Sequence, residues 1–179
     1  MIAVVLAAGS ARRFGRCKQL EMISGKMMLQ TVIDELEPHF SPIVILGKNG
    51  EQIQRKLQGS HFQVVMNPHF EEGIASSIRL GIELALNQGQ DLLVTLGDLP
   101  YVDRDDYADI LSSYRGKPLF ASFGDAVGPP CIIPLSDLPP LRELQGDKGL
   151  KNRFKEYDSI SIPNGAFDID RPSDIREGL

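Results

Sequence analysis

Short apolar runs alternate with longer amphipathic stretches along the first half of the chain. The apolar runs, beginning with 2–6, have the length of buried β-strands. The amphipathic stretches have the periodicity of helices, and in 74–87 the residues Ile74, Ile78 and Ile82 recur on one helix face. Because a strand is followed by a helix four times, the pattern predicts an α/β fold with a doubly wound, mostly parallel, Rossmann-like sheet. Such sheets usually bind ligands beyond the carboxyl ends of their strands.

The predicted elements continue into the second half of the chain, but less regularly. From about Gly116 onward prolines are frequent and the alternation weakens. The 179 residues are therefore interpreted as one domain, in which 116–179 forms a lobe added to 1–115. The predicted strands are 2–6, 43–46, 62–66, 92–96, 119–122, 131–133, 159–162 and 167–169. The predicted helices are 27–37, 50–58, 74–87, 104–114, 136–144, 147–155 and 172–178.

Composition excludes several classes of protein. The net charge of −5 argues against non-specific nucleic-acid binding, which needs a basic face. No apolar run approaches the ~20 residues of a membrane-spanning helix, so no membrane partner is expected. The first residues read as a strand, not as a secretory signal, which predicts a cytoplasmic protein. Cys17 and Cys131 lack the spacing of metal ligands and are expected to be free thiols.

Positive charge is concentrated after the first predicted strand, between Gly9 and Lys18. The segment starts with small residues, so backbone N–H groups can approach an anion without obstruction. Arg13 can then hold phosphate oxygens with a fork of donors, and Lys18 can place a point charge among them. The favoured interpretation is a phosphate-binding loop, and the alternative is a solvated basic loop. The basic residues of the segment are Arg12, Arg13, Arg16 and Lys18.

The spacing in this loop excludes two common phosphate-binding motifs. A P-loop needs four residues between its glycines and Ser or Thr after its lysine. Here five residues separate Gly9 from Gly15, and Gln19 follows Lys18. The dinucleotide fingerprint Gly-x-Gly-x-x-Gly also fails, because Ala11 stands at the second glycine. What remains is Leu-Ala-Ala-Gly, a variable stretch, Arg-Phe-Gly, two residues and Lys-x-Leu.

The segment LAAGSARRFGRCKQL, residues 6–20, resembles the signature of the MobA-like nucleotidyltransferases, which include the molybdenum cofactor cytidylyltransferases. Sugar-phosphate and isoprenoid-pathway nucleotidyltransferases share this first block. The later blocks GPPCIIP and LQGDKGLKN point to the molybdenum cofactor branch. Three residues depart from the family pattern, namely Ala11, Met27 and Pro129. The other matching segments are KQLEMISGKMMLQTVIDEL, MNPHFEEGIASSIRLGIELAL, VTLGDLPYVD and FDIDRPSDI.

The resemblance implies a fold of the nucleotide-diphospho-sugar transferase type, with Mg²⁺ as cofactor. It implies a nucleotide-binding half, 1–115, and an acceptor-binding half, 116–179. It also implies that Asp98 and Asp170 hold the metal, with Asp168 competing for the second place. Both aspartates would then face one cleft at the carboxyl end of the sheet, beside the basic loop. The alternative is that Asp98 forms a turn and Asp170 caps a helix.

By the same resemblance, Asn67 and Ser77 lie in the block that approaches the nucleotide base, and Gly73 lets the backbone come close to the ring. The alternative makes Ser76 or Ser77 the N-cap of the 74–87 helix. The implied catalytic residues are Lys18, Arg13 and Asp98. The implied nucleotide-binding residues are Leu6, Ala7, Ala8, Gly9, Arg13, Lys18, Asn67, Gly73, Ser77 and Asp98.

The expected reaction is transfer of CMP from CTP to the terminal phosphate of molybdenum-bearing molybdopterin, with release of pyrophosphate. The Leu-Ala-Ala-Gly spelling resembles the cytidylyl branch more than the Leu-Ala-Gly-Gly of the guanylyl branch. A recipient molybdoenzyme or its chaperone is the expected protein partner. The alternatives are a guanylyltransferase that uses GTP, a sugar- or alditol-phosphate cytidylyltransferase, and a non-catalytic accessory protein that binds the nucleotide or cofactor.

Overall fold

The computed structural model describes residues 1–9, 17–146, 149–163 and 169. In these residues one seven-stranded sheet carries helices, and a two-stranded hairpin lies apart from it. The strands are β1 (Ile2–Ala7), β2 (Met22–Ile23), β3 (Lys26–Met27), β4 (Ile43–Leu46), β5 (Gln63–Met66), β6 (Leu92–Leu96), β7 (Leu119–Phe123), β8 (Ala126–Ile133) and β9 (Asp158–Ser161). The α-helices are α1 (Met28–Leu36), α2 (Gly50–Gln54), α3 (Ile74–Gln88) and α4 (Arg104–Ser113).

The sheet has the strand order β5-β4-β1-β6-β8-β7-β9. The first four strands in this order are parallel, with β1 between β4 and β6. All six residues of β1 are buried, as expected for a parallel strand covered on both faces. Strand β8 runs antiparallel to β6 and β7, and β9 runs parallel to β7. The prediction of a mostly parallel α/β sheet is confirmed.

Alternate residues of β1 point to opposite faces of the sheet, and each face has its own core. On one face Val5 packs in a cluster with residues of α1 and α4, such as Leu29 and Ile110. On the other face Val4 packs in a cluster with residues of α3, such as Ile82. Helices therefore cover both faces, which confirms the doubly wound architecture.

The second half of the chain departs from the predicted elements at its prolines. The predicted helix 136–144 consists instead of two 3₁₀ helices, Leu135–Asp137 and Pro139–Glu143, because prolines lack the N–H that an α-helix needs. The predicted helix 147–155 is wrong in type, since the described part holds only the 3₁₀ helix Leu150–Arg153. The predicted helix 50–58 ends early, at Gln54.

Strand β8 is longer than the predicted strand 131–133 because it starts at Ala126. Glycine and proline are uncommon inside strands, and Gly128 is followed by two prolines, so the sequence does not predict a strand before Cys131. In the structure Gly128 faces Ala121 and Cys131 faces Phe120, so the prolines lie in an irregularity where no ladder donor is needed. The predicted helix 172–178 lies outside the described residues, as does the predicted strand 167–169 except for Ile169. No helix of the described residues is long and apolar enough to cross a bilayer.

Candidate active site

The carboxyl ends of β1 and β6 lie side by side and carry the predicted phosphate and metal residues. Leu6 of β1 is in register with Leu96 of β6, and the Gly97 N–H donates to the Leu6 carbonyl at 2.9 Å. A Cβ at Gly97 would lie 3.0 Å from the Ala7 Cβ, so only glycine permits this approach of the two chains. Asp98 is therefore presented next to the start of the basic loop.

Lys18 and Asp98 form an ion pair at this edge of the sheet. The Lys18 Nζ lies 2.7 Å from Asp98 Oδ2, and the two side chains are 11% and 26% exposed. Lys18 opens a short 3₁₀ helix, Lys18–Leu20, at the far end of the basic loop. Two of the three implied catalytic residues are thus in direct contact, in a place where charged groups are partly removed from water.

Gln19 holds the two ends of the basic loop together, and nothing in the sequence singled it out. Its Nε2 donates to the Ala7 carbonyl at 3.1 Å and to the Gly9 carbonyl at 3.3 Å. The Gln19 side chain is buried, and its bond to the Ala7 carbonyl lies where water is largely excluded. Its position next to Lys18 is the only hint in the sequence, and a polar residue on the surface could occupy the same position. Gln19 fixes the backbone from which Lys18 projects.

Asn67, Ser76 and Ser77 form a buried polar cluster between β5 and the first turn of α3. The Asn67 Nδ2 donates to both serine Oγ atoms at 2.9 Å, and Asn67 Oδ1 accepts from the His69 N–H at 2.9 Å. All three side chains are buried. The predicted base-side residues Asn67 and Ser77 are therefore brought together, and hydrogen bonds between them fix their orientation.

The alternative that Ser76 or Ser77 caps the helix is wrong. The N-cap of α3 is Gly73, which makes no side-chain cap, and the helix starts at Ile74. Both serines thus lie inside the first turn, and Ser76 Oγ donates to the Gly73 carbonyl at 2.9 Å. Gly73 has φ +95°, a left-handed conformation that favours glycine. A residue with a side chain would be strained at this position.

The chain returns to this edge immediately before Asp170. The Ile169 N–H donates to the Asp98 carbonyl at 3.3 Å, and Ile169 is fully buried. Asp170 itself, its competitor Asp168 and the predicted catalytic residue Arg13 lie outside the described residues.

A magnesium site is compatible with the described part of this edge. Mg²⁺ is usually held by one or two carboxylates together with substrate phosphates and water, and does not need a full cage of protein ligands. Asp98 supplies one carboxylate with access to solvent. Among the described residues no group of three or more histidine, cysteine or acidic side chains could hold a metal ion. A single carboxylate at this edge therefore suits an ion that takes its other ligands from substrate and water.

The thiol next to Lys18 is not activated. Partial burial raises the pKa of Cys17, and this effect outweighs the hydrogen bonds and the charge of Lys56 that lower it. Burial also raises the pKa of Cys131, which lies in the core. Both cysteines are free, as predicted. The neutral thiol is thus favoured at both positions, which argues against a cysteine nucleophile.

A family comparison agrees with this arrangement. The sequence profile of the "MobA-like NTP transferase domain" matches residues 3–160, which contain Lys18, Asp98 and the Asn67 cluster. The chain belongs to this family. Membership in this nucleotidyltransferase family confirms the resemblance carried by the motif blocks, and it places the ion pair inside the matched domain.

Individual relatives include proteins named as probable molybdenum cofactor guanylyltransferases. A protein named "Probable molybdenum cofactor guanylyltransferase" from Pyrococcus horikoshii is 29% identical over 181 residues, covering 93% of this chain and 85% of that protein. A protein of the same name from Natranaerobius thermophilus is 28% identical over 63% of this chain and 54% of its own length. The bifunctional protein GlmU of Caldicellulosiruptor saccharolyticus is 26% identical over 57% of this chain. The chain spans about half of the Natranaerobius protein and 23% of GlmU.

Solved structures share the fold across almost the whole chain. Rv0371c from Mycobacterium tuberculosis superposes with a TM-score of 0.83 at 24% identity, covering 97% of this chain and 93% of that one. Molybdopterin-guanine dinucleotide biosynthesis protein A from Archaeoglobus fulgidus gives a TM-score of 0.72 at 18% identity, covering 98% and 95%. At these identities the likeness shows the fold alone, and it confirms the nucleotide-diphospho-sugar transferase type.

Proposed function

We propose that this protein transfers CMP from CTP to the terminal phosphate of molybdenum-bearing molybdopterin and releases pyrophosphate. The observation that carries the proposal is the Lys18–Asp98 pair at the joined carboxyl ends of β1 and β6. A cation and a carboxylate at this edge match the needs of a reaction between two polyanions, one of which arrives with a metal. Family membership supports the same reaction class.

The chemistry needs no general base from the protein. An oxygen of the acceptor phosphate attacks the α-phosphorus, its new P–O bond forms, and the bond to the β-phosphate oxygen breaks so that pyrophosphate leaves. The acceptor phosphate has a second pKa of about 6 and is mostly a dianion at neutral pH, so no proton must be removed. The protein contributes positioning and charge neutralisation.

Lys18 changes partner in this proposal. Without nucleotide its ammonium balances the Asp98 carboxylate at 2.7 Å. With nucleotide it contacts triphosphate oxygens, which its flexible four-carbon stem allows, and Arg13 adds a fork of donors. Asp98 and Asp170 would hold Mg²⁺, which when bound neutralises phosphate charge. Gln19 keeps the backbone of Ala7 and Gly9 in place during this exchange of partners.

In this proposal Gly73 and the Asn67 cluster lie beside the base. Because Asn67 donates to both serines, the side chains of the cluster are held in place. The proposal takes the pocket beside them to be compact, which favours the smaller cytosine ring. GTP is the second candidate, since the Pyrococcus horikoshii relative is named a guanylyltransferase. A recipient molybdoenzyme or its chaperone would take the product.

Pyrophosphate release from each of the four triphosphates, with Mg²⁺ and molybdenum-bearing molybdopterin, tests the proposal. The expected result is release that depends on the acceptor and is fastest with CTP. Faster release with GTP assigns the protein to the guanylyl branch. Release with a sugar or alditol phosphate alone moves the acceptor to that class. Nucleotide binding without any release identifies an accessory binding protein and contradicts the proposal.

A further inference from the structure

Arg79 joins two loops that belong to opposite halves of the proposed site. It lies in the second turn of α3, and its side chain is 28% exposed. One guanidinium nitrogen donates to the Leu144 carbonyl at 2.5 Å, and another donates to Glu72 Oε2 at 2.6 Å. Glu72 directly precedes Gly73, and Leu144 lies two residues before Gly146.

A backbone contact joins the same two loops. The Ala75 N–H donates to the Gly146 carbonyl at 3.1 Å, so the first turn of α3 is tied to the loop before Asp147. Gly146 has φ +67°, a left-handed conformation that places its carbonyl where few other residues could. Arg79 lies one helical turn after Ala75 in α3, and its bond to the Leu144 carbonyl fastens the same loop two residues before Gly146.

The two bonds of Arg79 use the specific shape of its side chain. A planar guanidinium can serve a carboxylate and a carbonyl at once with its fixed fork of donors. Lysine in place of Arg79 would keep the positive charge, but its ammonium could not donate to both acceptors in these two fixed directions. The bond to Glu72 is charge-assisted, but the Glu72 side chain is 52% exposed, so solvent weakens this bond. The bond to the Leu144 carbonyl is partly buried and is the better shielded of the two.

We propose that Arg79 is a positioning residue that sets the distance between the Gly73 turn and the loop 144–146. The inference rests on the proposed function, in which the Gly73 turn faces the nucleotide and the half 116–179, to which Leu144 belongs, binds the acceptor. With the two loops locked together, the two substrates are held in register for attack on the α-phosphorus. Arg79 does not touch the reacting atoms and acts through the two loops.

Arg104 provides a matched control. It pairs with Glu35 at 3.1 Å, with side chains that are 56% and 20% exposed. In the part of the chain that the structure describes, this pair joins α4 to α1 on the face of the sheet opposite α3, and it involves neither the Gly73 turn nor the loop 144–146. Arg104→Gln therefore removes an arginine–glutamate contact without releasing the two loops.

The first test needs no activity. Amide exchange of Ala75 followed by NMR should be about tenfold faster in Arg79→Gln than in the wild type, because losing a charge-assisted bond frees the Ala75–Gly146 contact. Arg104→Gln should leave the exchange rate unchanged, and Arg79→Lys should give an intermediate rate. Equal exchange at Ala75 in the wild type and in folded Arg79→Gln would overturn the inference.

The second test uses turnover. Arg79→Gln should lower kcat by about tenfold while KM for either substrate changes by less than about threefold, because misaligned substrates still bind but react more slowly. Arg104→Gln should match the wild type. A rise in both KM values with unchanged kcat would contradict a positioning role. If the wild type releases no pyrophosphate, the proposed function fails, and the exchange of Ala75 still decides whether Arg79 locks the two loops.

Discussion

The ammonium of Lys18 lies 2.7 Å from the carboxylate of Asp98, although one residue comes from the loop after β1 and the other from the loop after β6. The parallel register of β1 and β6 brings these loops to one edge of the sheet. In the proposed reaction both groups have other partners, namely phosphate for Lys18 and metal for Asp98. Nucleotide and metal binding must therefore both act on the same ion pair.

Removing the Lys18 charge should strengthen metal binding in the absence of nucleotide. In the wild type a divalent cation has to displace the ammonium from Asp98, whereas in Lys18→Gln it does not. We expect Mn²⁺ to bind roughly five- to tenfold more tightly to Lys18→Gln, measured by titration of the free Mn²⁺ signal in electron paramagnetic resonance. Lys26→Gln, which breaks the Lys26–Asp34 pair away from the site, should bind Mn²⁺ as the wild type does. Weaker binding to Lys18→Gln would show that the lysine does not compete with the metal.

Gln19→Ala should lower both stability and nucleotide affinity. The substitution leaves the Ala7 and Gly9 carbonyls without their buried donor, so we expect a loss of about 1–2 kcal/mol in the free energy of unfolding by urea. The loosened loop should also raise KM for the nucleotide. Gln30→Ala is the control, because Gln30 is buried and bonded to Gln58 at another part of the fold. If both variants lose stability equally and KM rises in neither, Gln19 has no role in the site.

Gly97→Ala should destabilise the fold where the carboxyl ends of β1 and β6 meet. Its Cβ would lie 2.9 Å from the Leu29 side chain and 3.0 Å from Ala7, so the two strands would have to move apart. We expect a loss of about 1–3 kcal/mol in denaturant unfolding, typical of overpacking in a core. Gly128→Ala should change stability little, because a Cβ there meets nothing within 4 Å. A stable Gly97→Ala protein would mean that the strand ends are less closely packed than described.

The two thiols should react slowly in the folded protein. Burial penalises the thiolate and so raises the pKa of Cys17 and of Cys131, and less thiolate is present at any given pH. Because the folded-state pKa exceeds the unfolded one, their contribution to stability is present below the unfolded pKa and is lost as pH rises above it. At pH 8 a disulfide reagent should modify Cys17 slowly and Cys131 only after unfolding. Rapid modification of Cys131 in native protein would contradict its burial.

The parallel core could be predicted from the sequence because its signal is local. The runs that became β1 and β4 are continuously apolar, and β6 is apolar except for Thr95, which agrees with burial on both faces. Strand β8 was underestimated because its prolines, which usually exclude a central strand, lie in an irregularity that depends on pairing with β7.

The site could be predicted only in part, because some of its contacts depend on residues that are distant in the chain. The spacing of charged and small residues pointed to Lys18, and the family resemblance pointed to Asp98. The common edge of the sheet explains their contact. The sequence did not single out Gln19 or Arg79. A polar side chain that bonds to a distant backbone carbonyl cannot be distinguished in a sequence from one that only faces solvent. Such partners are distant in the chain, and only the folded arrangement brings them close.

Turnover of Lys18→Ala tests the central claim most directly. Lys18 lies in a short loop helix, so the variant should fold, and wild-type and variant proteins can be compared by pyrophosphate release with CTP, Mg²⁺ and molybdenum-bearing molybdopterin. We predict release by the wild type and a kcat lower by about a hundredfold or more in Lys18→Ala, as for loss of one group that stabilises transition-state charge. A folded Lys18→Ala protein that turns over as fast as the wild type would contradict the account.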